Sequence, residues 1–260
     1  MKLHPAVRQI ANEIAERGFW SVLPTLEPRQ MYLLAKAAAD SYYNSSDDLL
    51  EDDQYDALRE ALEGTGEGRE LSREIGAPAR GEMVPLPYPM GSMNKIKEEE
   101  VLLRWLASHP GPYVTSDKID GVSLMIVRKG RSTKMYTRGA GTEGQDVSHL
   151  LSVIRLPELP RGNWAIRGEA IISRESFTKW QGKRKNPRSM TAGLINTDIP
   201  NLNREMAEDI DFVAFEVIQP HLTPSNGYQW LEDHHFTTVH HHKCKTLSAN
   251  RLTKLLHQRR

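Results

Sequence analysis

The hydrophobic period of this chain changes once along its length, and that change limits what it can fold into. Up to about residue 64, apolar residues recur at helical spacing. In HPAVRQIANEIAERG, Val7, Ile10, Ala11 and Ile14 follow the i, i+3, i+4, i+7 pattern of one helical face, and Gly18 is placed to end it. A second helix is predicted from Pro28 through MYLLAKAAADSYYN, and a third, DQYDALREALEG, with Asp52 as its cap and Gly64 as its stop. Glycines 64, 66, 68, 76, 81 and 91, with Pro78, Pro85, Pro87 and Pro89, then read as linker and irregular lead-in. A short helix follows in KEEEVLLRWLASH, with Val101, Leu102, Trp105 and Leu106 on one side. From Pro112 onward short runs rich in Val, Ile, Tyr and Phe, separated by glycine-containing turns, predict strands: YVTSDK, GVSLMIVRKG, TKMYTRG, WAIRGEAIIS and IDFVAFEVIQ. Helical spacing returns in ANRLTKLLHQRR. Helices first, then mostly antiparallel strands with a few helices, specify an α+β fold rather than a doubly wound α/β one. The expected division is a helical domain over 1–68, a lead-in over 69–92 and a sheet domain over 93–260.

Composition narrows the setting. No apolar run is long enough to span a bilayer, and the charged residues throughout MKLHPAVRQIANEIAERG leave no apolar core for a signal peptide. A single cysteine, Cys244, excludes an internal disulfide and fits a reducing compartment, so a cytoplasmic location is expected. The net charge of zero hides an asymmetry. Residues 1–70 hold 7 Lys/Arg against 14 Asp/Glu, and the remainder 27 against 20, as two modules with different partners would show. Two solvated surfaces with different counter-ions would show the same imbalance.

Chemistry-bearing residues come in an ordered series. Lys118-Ile119-Asp120-Gly121 is followed by Tyr136-Thr137-Arg138-Gly139-Ala140-Gly141-Thr142-Glu143-Gly144-Gln145-Asp146 and then by Arg167-Gly168-Glu169. Asn186-Pro187-Arg188 with Ala192-Gly193, and Asp211-Phe212-Val213-Ala214-Phe215-Glu216, complete it. The series resembles nucleotidyltransferase motifs I, III and IIIa in the form found in NAD+-dependent DNA ligases, and the likeness covers nearly the whole chain. Upstream, Tyr42-Tyr43, Asp52 and Tyr55-Asp56 resemble the helical Ia element with which those ligases bind the nicotinamide mononucleotide half of NAD+. The chemistry suits that role, since aromatic faces stack on a cationic ring and carboxylates offset its charge and accept ribose hydroxyls. A helix pair whose tyrosines pack on one another is the plainer reading.

The resemblance implies a small helical domain followed by a DNA ligase/mRNA capping-type nucleotidyltransferase domain with antiparallel sheets. It also implies a reaction in which Lys118 attacks the α-phosphate of NAD+, releases nicotinamide mononucleotide and holds AMP for the 5′-phosphate of nicked duplex DNA. A lysine amine has an ordinary pKa of about 10.4, so such a site must favour its neutral form by burial, by neighbouring cations or through Mg2+ on the phosphates. The Gly121 turn is expected to set the amine in a cleft. By the same likeness Asp120 contacts phosphate-bound metal or ribose, Arg138 the ribose and phosphate, and Glu169 a ribose hydroxyl, while Phe215 stacks on adenine. Ser92, Ser116 and Gly121 line the nucleotide pocket, and Gly121, Gly139 and Gly168 let the backbone approach it. Arg188 is assigned to the phosphate of the incoming nick. Lys183, Arg184 and Lys185, within the basic stretch from Lys179 to Arg188, are assigned to the DNA backbone, with a solvated loop as the alternative.

The pattern departs from the family at three places. The residue two before the lysine, glutamate in bacterial members, is Ser116; Ala140 replaces an aspartate; and Asn196 stands where an arginine is common. The histidines at 234, 235, 240, 241 and 242, with Cys244, match no tetrahedral metal spacing, and the histidines read as surface residues. Motifs IV and V, the oligonucleotide-binding barrel, the zinc finger, the helix-hairpin-helix region and the BRCT domain do not occur in these 260 residues. A further region or a second chain carrying motifs IV and V and the barrel is therefore the expected partner, as in a phage-type split ligase. Two other readings share part of the series. An ATP-dependent ligase or capping-type enzyme would use Lys118, Arg138 and Glu169 without the tyrosines, and a nucleotide-sensing assembly subunit would keep the fold without the chemistry.

Overall fold

Helical spacing in the first third becomes five helices: α1 (Pro5–Arg17), α2 (Phe19–Val22), α3 (Pro28–Asn44), α4 (Asp52–Ala61) and α5 (Gly66–Arg73). The computed structural model describes residues 3–44, 49–73, 82–96, 98–183 and 186–258, leaving aside the side chains of 42–44, 52, 72–73, 253 and 255–258. Apolar faces of the five helices meet in one core that includes Val7, Ile10, Phe19, Val22, Leu34, Leu58, Leu62 and Leu71. Gly18 ends α1 at φ 81°, and its N–H returns to Ile14 O at 2.8 Å.

Two expectations for this unit need correction. Asp52 is the first residue of α4 and not its cap. Glu51 caps the helix, and the Gln54 side chain reaches back to the Glu51 N–H at 3.1 Å, so two end donors are satisfied reciprocally. The stretch read as linker begins instead with α5, which crosses the expected boundary at residue 68. Leu71 is buried in the helical core, and Tyr32 Oη donates to Glu70 at 2.8 Å. Gly68 lies so close to Leu62 O that a Cβ would collide with it, so this glycine marks tight packing rather than a loose connection. Gly76, Pro78 and Gly81 lie outside the described residues.

The second part runs β1 (Met83–Pro85), α6 (Glu99–Ser108), β2 (Tyr113–Ser116), β3 (Val122–Lys129), β4 (Ser132–Thr137), β5 (Glu143–Gln145) and β6 (Trp164–Ile172). It continues with α7 (Arg174–Thr178), α8 (Pro187–Ile195), α9 (Arg204–Ala207), β7 (Ile210–Gln219), α10 (Pro224–Asp233), β8 (His241–Cys244) and α11 (Ala249–Gln258). The expected strands form, and the main sheet has the order β4-β3-β6-β7, antiparallel throughout. Two-stranded pairs β1-β5 and β2-β8 flank it. The fold is α+β, as the order of periods requires. Among the described residues no helix is long and apolar enough to cross a membrane.

Period-2 alternation gives the main sheet two unlike faces. Leu124, Ile126, Ile166, Phe212 and Ala214 point into the larger core, where Trp164, Leu194 and Leu231 also lie. Met125, Val127 and Ala165 point the other way, beneath Met90 and Leu86. Further along β3 and β6, that second face carries Ser123, Arg167 and Glu169. One side of the sheet is thus apolar at one end and polar at the other, and the polar end adjoins the loop between β2 and β3.

Candidate active site

Lys118 sits in that β2–β3 loop, which is fastened on both sides of it. Before it, Asp117 N–H donates to His240 O at 3.0 Å. After it, Asp120 Oδ1 accepts from Arg188 Nε at 2.9 Å, tying the loop to the first turn of α8. Gly121 then lies flat on β6, where a Cβ would come within 2.7 Å of Ile171 Cγ2 and closer still to Ala170 O. Lys118 is exposed, and its neighbours on both sides are anchored.

Facing the loop, Glu169 lies opposite Ser123 in the β3–β6 ladder and accepts from Ser123 Oγ at 2.8 Å. Burial pushes the Glu169 carboxyl above the usual glutamate range. The Ser123 hydrogen bond and the charges of Lys118 and Arg188 pull it back, Asp120 pushes it up, and the net position stays raised. Lys118, Asp120, Arg188 and Glu169 therefore form one electrostatic group, drawn from a loop, a helix and a strand that are far apart in sequence.

Beside Glu169 on the same strand face, Arg167 gathers three partners. Its Nη1 donates to Glu216 Oε2 at 3.0 Å, its Nη2 to Gly91 O at 3.2 Å, and its Cζ stands 5.6 Å from the centroid of the Phe215 ring. Phe215 is the extra residue of a β-bulge, because Arg167 pairs with Glu216 while Gly168 pairs with Ala214. Ser92 and Arg138 also meet, at 3.3 Å between Oγ and Nη1.

A model of the NAD-dependent DNA ligase adenylation domain matches residues 90–259. The chain belongs to that family. It is 36% identical over 250 residues to a DNA ligase of Acanthamoeba polyphaga mimivirus, covering 94% of this chain and 39% of that protein. A DNA ligase of Treponema pallidum is 28% identical over 227 residues, covering 79% of this chain and 28% of its own length. The chain thus spans about two fifths or less of these relatives.

Set beside the family's motifs, the structure brings Lys118, Asp120, Gly121, Glu169 and Arg188 together, with Phe215 on β7, Arg138 directly after β4 and Ser92 in the irregular segment after β1. Several expected roles change. Arg188 is nearly buried in an ion pair with Asp120, so it belongs to the lysine's surroundings and does not offer a free fork to DNA. A guanidinium out of water needs a counter-charge, and Asp120 is that charge. Asp120 is accordingly engaged with Arg188 as well as being half open to solvent. Gly121 and Gly168 need to be glycine because of the protein itself: a Cβ on Gly168 would collide with the Phe212 ring and lie 2.7 Å from Val213 O. Gly139, at φ 49°, is set by its turn against Glu143 and Met83. Ser116 pairs through its backbone with His241, whose ring stacks on that of Tyr228 at 3.9 Å.

The basic stretch is also partly spent internally. Lys179 pairs with the buried Asp209 at 2.7 Å, and Trp180 Nε1 donates to the same carboxylate at 2.8 Å. Lys183 is exposed, and Arg184 and Lys185 lie outside the described residues. In the helical unit Tyr55 packs against the core, and Asp56 accepts from Lys95 Nζ at 2.8 and 2.9 Å. The side chains of Tyr42, Tyr43 and Asp52 lie outside the described ones. His241 is not a surface residue: its ring is largely covered by Tyr228, and β8 pairs with β2. Among the described residues no three His, Cys, Asp or Glu side chains cluster to hold a metal. Sequence reasoning passed over Arg167 and Glu216; the R-G-E motif contained the first, but only the ladder register pairs it with the second.

Proposed function

We propose that this chain performs the charging step of NAD+-dependent DNA ligation. The neutral Lys118 amine attacks the α-phosphorus of NAD+; an N–P bond forms, the P–O bond of the pyrophosphate breaks, and nicotinamide mononucleotide departs as the amine gives up its proton. The AMP then passes to the 5′-phosphate of nicked DNA. One observation carries the reading: an exposed lysine, anchored on both sides by its loop, acts on the charge of a mostly buried Glu169 beside Arg188.

Glu169 is suited to accept a ribose hydroxyl, and Arg138 with Ser92 to contact ribose or phosphate. Arg188 keeps positive charge near the α-phosphate while compensating Asp120. Phe215 offers a ring for the adenine to stack on. Tyr42, Tyr43, Asp52, Tyr55 and Asp56 would hold the nicotinamide mononucleotide half, with the helices through α5 acting as one unit and the sheets as another. Mg2+ keeps much of its water and binds through one or two carboxylates plus phosphates, which suits a site offering Asp120 and Glu169 but no three-ligand cluster among the described residues. When bound, it would screen the phosphate charge against the incoming amine. Sealing would further require the motif IV and V strands and a DNA-closing barrel, from a continuing chain or a partner. A buried lone thiol and this substrate suit a cytoplasmic setting.

The test is incubation with NAD+ labelled in its adenylate and Mg2+, followed by denaturing electrophoresis, with ATP as comparison. Label from NAD+ that disappears in Lys118→Ala is expected. Label persisting in that variant would remove Lys118 as nucleophile, and no label under any condition would favour a nucleotide-sensing subunit.

A further inference from the structure

The base-recognition end of this site departs from the family, and the structure shows what stands in its place. Ser116 occupies the position where bacterial members carry a glutamate two residues before the lysine, so a hydroxyl stands in place of that carboxylate. Tyr228 is buried and stacked on His241, whose backbone pairs with Ser116 across β2-β8. That arrangement is a packed support for the start of the lysine loop and offers the base no carboxylate.

A carboxylate arrives from β7 instead. Glu216 directly follows the bulged Phe215, lies opposite Arg167 on the site face of the sheet, and is close enough for its charge to act on Tyr228. Arg167 fixes Glu216 from one side with a single 3.0 Å bond, and the same guanidinium is held by Gly91 O and spread near the Phe215 ring. A carboxylate has about four acceptor positions, so one donor from Arg167 leaves capacity for more. The Glu216 side chain is 47% exposed, against 16% for Arg167, so it is the open end of the pair. A ring that can stack on a purine, next to a fixed carboxylate with acceptor capacity, suits a base that presents an amino group.

We propose that Glu216, oriented by Arg167, accepts a hydrogen bond from the exocyclic 6-amino group of the adenine and so selects 6-amino over 6-oxo purines. This rests on the reading of Phe215 and Lys118 given above. Arg167 acts as a positioning residue, because it touches the carboxylate and the ring rather than the base.

The experiment compares NAD+ with nicotinamide hypoxanthine dinucleotide, whose 6-oxo group would meet the carboxylate as acceptor against acceptor. Wild-type charging should favour NAD+ by about 10-fold or more in kcat/KM, the range of one hydrogen bond to a charged group. In Glu216→Gln, whose amide can donate to the 6-oxo group, that preference should fall to about 3-fold or less, mainly through KM. Calorimetric binding of AMP against IMP to the uncharged protein follows the same selection without a reacting lysine. An unchanged preference in Glu216→Gln by both measurements, or no preference in the wild type, would overturn the proposal. If neither dinucleotide labels the protein but AMP is preferred over IMP and Glu216→Gln removes that preference, the base assignment stands and the lysine reading fails.

Discussion

Gly121→Ala probes the way the lysine loop is held. The added Cβ would lie 2.7 Å from Ile171 Cγ2 and 3.0 Å from Glu169 Cγ, with Ala170 O closer than either, whereas ordinary contact begins at 3.4 Å. The shortfall is about 1 Å. Ala170 is bound into the sheet on both sides, by Val122 and by Phe212, so β6 is the stiffer partner. The loop must move, and it carries Lys118 three residues earlier. Overpacking of this kind costs about 1–3 kcal/mol. At about 2–4 °C per kcal/mol for a chain of this size, melting should fall by roughly 2–12 °C. A displacement of ~1 Å at a reacting group costs on the order of 10²-fold in rate. The expected result is a folded variant whose AMP transfer from NAD+ is slowed about 100-fold, read by initial rates of adenylate labelling beside a thermal melt. Gly66→Ala, at a position with nothing within 4 Å, is the comparison and should charge normally. Wild-type rate and wild-type melting in Gly121→Ala would refute the reasoning, since no 1 Å conflict could then exist.

Two more expectations follow from the site. Glu169 has its carboxyl raised above 4.5, chiefly by burial, so the folded state holds this proton at pH values where the unfolded chain has lost it. Its contribution to stability is therefore complete below about 4.5 and declines as pH rises through the raised value. Glu169→Gln should flatten that decline and melt higher than wild type at pH 7 while charging poorly; an equal pH slope in both proteins would contradict the burial argument. Asp56→Ala removes a half-exposed pair with Lys95, worth about 0–1 kcal/mol, so melting should shift by no more than about 4 °C. Charging from NAD+ should weaken in that variant, while AMP transfer from the charged lysine to nicked DNA is spared; equal loss in both steps would leave Asp56 only a structural role.

Much of this protein was legible as local pattern. The 3.6-residue spacing of Val7, Ile10 and Ile14 and the β-branched runs of β3, β6 and β7 depend on which side chains lie a few residues apart, and that is a property of the chain alone. The motif order, by its likeness to the family, put forward Lys118, Glu169 and Phe215 as candidates. Short elements were not legible: β1, β5 and β8 have too few residues for a period, and β8, HHKC, carries no strand-like composition.

What the sequence by itself determined is therefore the α+β class, together with a list of candidate side chains. Tertiary structure alone decided their pairing. Arg188 meets Asp120 across 68 positions and Arg167 meets Glu216 across 49, with Phe215 set at a bulge that no periodicity announces. Charge compensation and ladder register are long-range conditions, satisfied only when the whole sheet has closed, and they turn a list of residues into a site.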